Sequence, residues 1–112
     1  FTAFSPLAGG WLSGKYRAAG AYPEGSRMTL RPEPYRHLES AHVFRALDAF
    51  ERAAQDRAVA MTALAIAWVL HQPRVDAAIA GPRTPAHLDA ALAALPIRLS
   101  DDEAASLSAL FR

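Results

Sequence analysis

Two stretches of this chain hold residues that can grip a phosphate. The first is Ser5-Pro6-Leu7-Ala8-Gly9-Gly10-Trp11-Leu12-Ser13-Gly14-Lys15-Tyr16. Glycine turns bring backbone N–H groups close to an anion, and Lys15 adds a positive charge. The spacing is neither that of a Walker loop nor that of the Rossmann glycine fingerprint. On the residues alone, the segment is a phosphate cradle or an ordinary turn. The second stretch is Ile79-Ala80-Gly81-Pro82-Arg83-Thr84-Pro85. Thr84 suits a helix cap and Pro85 a first helical turn. A helix starting there aims unpaired N–H groups and the positive end of its dipole outward. Arg83 offers a planar fork matched to a phosphate. A capped helix beside a solvent-exposed Arg is the other reading of the same residues.

The remaining reactive side chains point to structure rather than chemistry. His37, His42, His71 and His87 show no metal-ligand spacing and read as surface residues. Asp101-Asp102-Glu103 stands at a helix start, where acids favour the dipole. Ser5 and Ser13 lack the Gly-x-Ser-x-Gly elbow of a hydrolase nucleophile. Tyr16, Tyr22 and Tyr35 fall in loops and suit either a lid or packing. Trp11 borders a pocket or packs beneath the first loop, and Trp68 reads as core.

These segments need elements to hold them. Phe1 to Phe4 is a β-favouring run, stopped by Ser5-Pro6, that predicts a buried strand. Residues 20–34 are rich in Gly, Pro and charge and predict a long loop, often a functional feature. A helix is expected from His37 to Arg57, with Val43, Ala46, Leu47, Phe50 and Ala54 on one face. A second is expected from Met61 to His71, ended by Gln72-Pro73. Val75 to Ala80 predicts another strand. A third helix follows Thr84, with Leu88, Leu92 and Leu95 as its buried stripe and Pro96 as its stop. Ser100-Asp101-Asp102-Glu103 has capping-box form and opens a last helix that buries Leu107, Leu110 and Phe111.

Strands alternating with helices predict a parallel α/β arrangement. Two strands alone do not make a stable sheet. The 112 residues are too few for a (β/α)8 TIM barrel, which takes about 250. The chain also opens at Phe1 inside a strand. It is therefore expected to begin partway along a longer protein whose earlier strands complete the sheet, removal of a propeptide being the other reading of that start. Hydrophobic residues make up 52% of the chain, enough for a core. Net charge is +1, with both signs scattered, which argues against a nucleic-acid surface. No apolar run reaches the roughly 20 residues of a membrane span. Cysteine is absent, which excludes thiolate chemistry and fits a cytoplasmic setting.

Taken together, the motifs resemble those of the aldo-keto reductases. The Ser5–Tyr16 segment is similar to that family's seventh-strand loop, and Ala65-Ile66-Ala67-Trp68-Val69-Leu70 to the helix before its last strand. Ile79–Thr84 with Leu88 resembles the eighth strand and its cofactor loop, and Leu99–Glu103 matches the segment beyond. The likeness is greatest to the branch holding the voltage-gated potassium channel β subunits and many bacterial reductases. It implies that residues 1–112 are the C-terminal, cofactor-binding portion of such a barrel, its last two strands and their helices. The implied parent reduces aldehydes or ketones, small-molecule carbonyl substrates, to alcohols with NADP as cofactor.

The resemblance also assigns roles. Phe4 would stack on the nicotinamide. Ser5, Pro6, Leu7 and Gly9 would wrap the pyrophosphate, largely through backbone, and Lys15 would contact phosphate. Arg27 would touch the cofactor, Gly81 and Arg83 would receive the 2′-phosphate, and His87 would donate to the cofactor. Gly9 and Gly81 must then face one ligand. Two departures stand out. Ala90 and Ala91 replace a Glu-Asn pair that hydrogen-bonds adenine in the family, at roughly 1 kcal/mol per lost bond. The family's catalytic Asp, Tyr, Lys and His lie on earlier strands, so no catalytic residue is expected here and the segment alone should be inactive. The competing expectation is a mostly helical interaction module that binds no nucleotide.

Overall fold

The β-favouring run at the start of the chain forms β1, Thr2–Phe4, and the second forms β2, Ala77–Ile79. The computed structural model describes residues 1–18 and 20–112. The two strands pair in parallel, with Thr2 opposite Ala77, Ala3 opposite Ala78 and Phe4 opposite Ile79. Between them run a 3₁₀ segment Ala8–Ser13, α1 Arg27–Leu30, a second 3₁₀ segment Glu33–Leu38, α2 Ala41–Asp56 and α3 Met61–His71. Two more helices follow β2: α4 Pro85–Leu92 and α5 Asp101–Ala109.

The residues explain these boundaries. Ser40 caps α2 by accepting from the Val43 N–H at 3.1 Å. The helix therefore starts at Ala41 rather than at His37, which belongs to the preceding 3₁₀ turn. Residues 20–34 are not an unbroken loop, because α1 lies within them. Gln72, held extended before Pro73, ends α3. Thr84 accepts from the His87 N–H at 3.2 Å and caps α4. Ser100 and Glu103 exchange hydrogen bonds of 3.1 and 2.7 Å in a capping box that opens α5.

The main core gathers Ala46, Leu47, Phe50 and Ala54 of α2 with Leu64 and Ala65 of α3 and Leu107 of α5. Trp11 and Tyr16 complete it from the first loop. Trp11 is 1% exposed and meets Tyr16 edge-on at a centroid distance of 5.0 Å. It packs beneath the loop rather than bordering a pocket. Leu110 and Phe111, expected as buried, are half-buried just beyond α5.

Two expectations of burial fail. Leu88, Leu92 and Leu95 are 45%, 49% and 59% exposed and form no buried stripe. The α4 region instead turns Ala91 and Ala94 toward Ile66 and Ala67 of α3, a close approach that leucines would block. Apolar spacing alone selected the wrong face. β1 is not a buried strand either, and Phe4 is 77% exposed. Period-two alternation explains it: Ala3 and Ala78 are half-buried, while Thr2, Phe4 and Ile79 lie on the open face.

Candidate functional site

Parallel strands in register deliver their loops to the same end of the sheet. Phe4 lies opposite Ile79, so the chain leaves β1 into Ser5–Ser13 and β2 into Ala80–Thr84 side by side. A cleft of about 450 Å³ opens where these loops meet the 25–35 segment and α3. That volume falls within the range of small-molecule sites.

All ten residues singled out from the sequence line this one cleft. Phe4, Ser5, Pro6, Leu7 and Gly9 come from the end of β1 and its loop. Lys15 and Arg27 come from the stretch that follows, and Gly81, Arg83 and His87 from the turn into α4. Gly9 and Gly81, 72 positions apart in the chain, thus face the same space. Ala90 and Ala91, the departures from the family pattern, line it as well.

The first loop is shaped by positive backbone dihedrals. Ser5 (φ 51°), Ala8 (φ 50°), Gly9 (φ 68°) and Gly10 (φ 97°) all take the left-handed region. For Ser5 and Ala8 this costs roughly 1–2 kcal/mol each, strain of the kind concentrated at binding loops. Gly9 has a second requirement: a Cβ there would sit 2.5 Å from the Tyr35 ring. At Gly10 a Cβ would come within 3.2 Å of the Lys15 side chain, which folds across it.

Tyr16 holds the loop from below. Its buried hydroxyl donates to the Gly9 carbonyl at 3.1 Å and accepts from the Met28 N–H at 3.3 Å. Tyr16 is a packing and bracing residue, not a lid. Ser13 Oγ donates to the Gly10 carbonyl at 2.6 Å. Arg17 forms a two-pronged ion pair with Glu51 of α2, at 2.7 and 2.8 Å. Those hydrogen bonds hold the Glu51 carboxyl below its ordinary range.

At the second loop the Arg83 N–H donates to His87 Nδ1 at 3.3 Å, which leaves the neutral ring's proton on Nε2. Arg83 Nη1 reaches the Gly25 carbonyl at 3.4 Å and so bridges the two halves of the rim. Lys15, Arg27 and Arg83 line the cleft, and no Asp or Glu among the described residues does. This contrasts with the chain as a whole, where 12 basic residues face 11 acidic ones. An uncompensated cationic cleft attracts anions and suits phosphate recognition.

Some lining residues escaped the sequence reading. Thr62 and Ile66 of α3 form part of the wall, and their four-residue spacing on one helix face was a usable signal. Tyr35 was visible only as a loop aromatic. Ser26, between Gly25 and Arg27, is 4% exposed, and its hydroxyl has no hydrogen-bond partner. Nothing in the sequence distinguishes it from a surface serine.

The fold is that of an α/β segment that gathers two strand-end loops around one cleft lined by cationic side chains. The aldo/keto reductase family profile matches residues 1–112. The chain belongs to that family. A probable voltage-gated potassium channel subunit beta of Arabidopsis thaliana is 38% identical over 84 residues, covering 71% of this chain and 25% of that protein. The corresponding protein of Oryza sativa subsp. japonica is 37% identical over 84 residues, with the same coverage. This chain thus matches about a quarter of each relative's length. The solved glycerol dehydrogenase of Gluconobacter oxydans superposes on 97% of this chain and 33% of its own, with a TM-score of 0.74 and 25% identity.

Proposed function

We propose that this chain is the C-terminal, cofactor-gripping portion of an NADP-dependent enzyme that reduces aldehydes or ketones to alcohols. The observation that carries the reading is the cleft shared by the Ser5–Lys15 and Gly81–His87 loops, with Lys15, Arg27 and Arg83 and, among the described residues, no carboxylate on its wall. The residues fit a dinucleotide phosphate. Gly9 and Gly10 take the positive φ values that turn the loop, Lys15 and Arg27 supply charge, and Arg83 supplies a fork suited to a phosphate monoester.

In this reading Phe4 offers its exposed ring as a flat apolar face for the nicotinamide. The Ser5–Gly10 backbone wraps the pyrophosphate. Arg83 turns from the Gly25 carbonyl to the 2′-phosphate, and its present 3.4 Å bond is weak enough to exchange. His87 Nε2–H donates to the same end of the cofactor. When bound, NADPH supplies the hydride for the carbonyl carbon. The proton for the alcohol oxygen comes from a general acid outside this segment.

NADPH fluorescence titration of the full-length protein tests the reading. Binding with preference over NADH is expected. Arg83→Ala should weaken NADPH by about 1.5–3 kcal/mol, roughly tenfold to a hundredfold, and NADH far less. Equal losses for both would remove Arg83 from the 2′-phosphate. A helical interaction module draws on the exposed Leu88, Leu92 and Leu95. Failure to bind either nucleotide would select it.

A further inference from the structure

We infer that Ser26 is a further ligand-binding residue of this cleft, its hydroxyl donating to the phosphate monoester held between Arg27 and Arg83. The inference rests on the NADP reading above and names a contact that the family motifs do not assign.

Ser26 is 4% exposed, and its Oγ is buried with no partner. Its backbone is fully engaged. The N–H donates to the Pro23 carbonyl at 3.1 Å, and the Ser26 carbonyl accepts from Thr29 and Leu30 N–H at 3.1 and 3.0 Å. A serine preceding a helix would ordinarily turn its hydroxyl back to cap it, yet Ser26 makes no such bond to α1. A buried hydroxyl with no protein partner is costly and uncommon in folded proteins. It calls for an occupant that completes it.

The surroundings specify that occupant. Ser26 lines the cleft between Gly25, whose carbonyl is tied to Arg83 Nη1, and Arg27, whose side chain shares the same wall. Arg27 is the next residue in the chain, Arg83 reaches the preceding carbonyl, and no carboxylate among the described residues lines the cleft to take the hydroxyl proton. The acceptor that suits an O–H in a cleft lined by cations is an anionic phosphate oxygen. A phosphate monoester and the nucleotide's pyrophosphate share this chemistry, so the test must separate them.

The experiment measures binding of NADPH, NADH, 2′,5′-ADP and 5′-ADP to the full-length protein and its Ser26→Ala variant, with apo melting temperatures for both. Losing an unsatisfied hydroxyl should leave the apo melting temperature unchanged or raised. NADPH and 2′,5′-ADP affinity should fall about tenfold, as for one hydrogen bond to a charged group, while NADH and 5′-ADP hold. Equal loss for NADPH and NADH would move the contact to the pyrophosphate and overturn the assignment. So would unchanged affinity for all four ligands, or a lowered apo melting temperature with unchanged affinities. Wild-type protein that binds none of the ligands would sink the NADP reading itself. Wild-type protein that binds NADPH and loses it in Arg83→Ala, but not in Ser26→Ala, would sink only the present inference. Ser26→Thr, which keeps the hydroxyl, should retain more NADPH affinity than Ser26→Ala.

Discussion

Gly9 shows how one position can carry two constraints. Its φ of 68° favours glycine, and the Tyr35 ring occupies the space a Cβ would need. Gly9→Ala is therefore expected to destabilise the protein by roughly 2–4 kcal/mol, part from the dihedral and part from overpacking. The two parts are separable. Tyr35→Ala in the Gly9→Ala background should recover the steric share and leave the dihedral share, which a double-mutant cycle in urea would measure. If Tyr35→Ala recovered nothing, the ring contact would carry no energetic weight. The same contact bears on binding, because Gly9 and Tyr35 both line the cleft. Loosening the ring should also loosen the loop proposed to wrap the pyrophosphate.

At the scale of elements, the cleft depends on the first loop being anchored to the helices behind it. Tyr16 ties it to α1, and the Arg17–Glu51 pair ties its exit to α2. Glu51 is held below its ordinary pKa first by the Arg17 hydrogen bonds, against a smaller opposing effect of burial. A lowered folded value contributes stability above the ordinary Glu range near 4.3, and that contribution is lost as pH falls through the lowered value. Glu51→Gln should cost about 0.5–1 kcal/mol at pH 7, with the gap to wild type closing as pH falls below the ordinary Glu range. Thermal melts across that range would show it, and a gap independent of pH would assign the effect to packing. Much of this scale was legible in the sequence. Caps at Thr84 and Ser100, the Pro73 stop and the α2 face all follow from local chemistry. Lys15, Arg27 and Arg83 could be nominated for one cleft because the motifs that carry them resemble, in order, those of the aldo-keto reductases. What was illegible depends on how close elements approach. The leucines of the α4 region have the right period but face outward, since Ala91 and Ala94 allow tighter contact with α3. Ser26 looks like any loop serine until its hydroxyl is seen to be buried and without a protein partner.

Across the whole molecule, charge is nearly balanced, with 12 basic and 11 acidic residues, yet the imbalance is concentrated in one place. Lys15, Arg27 and Arg83 line the cleft, while the carboxylates seen pairing with arginines do so away from it, at Arg17–Glu51 and Arg57–Glu103. The field at the site is thus local, and its reach is set by salt. The screening length is about 10 Å at 0.1 M and about 3 Å at 1 M. Lys15 and Arg83 are exposed, so screening should weaken their attraction to a ligand phosphate substantially. NADPH carries one more phosphate than NADH, and that phosphate is the one proposed to lie beside Arg83. Raising NaCl from about 0.05 to 0.5 M should therefore weaken NADPH by about tenfold, roughly 1.4 kcal/mol, and NADH distinctly less. The NADPH preference should shrink as salt rises, and the shrinkage should vanish in Arg83→Ala. Parallel salt slopes for the two nucleotides in wild-type protein would mean that the cleft's cations act on the shared pyrophosphate alone, and the preference for a 2′-phosphate would need another source.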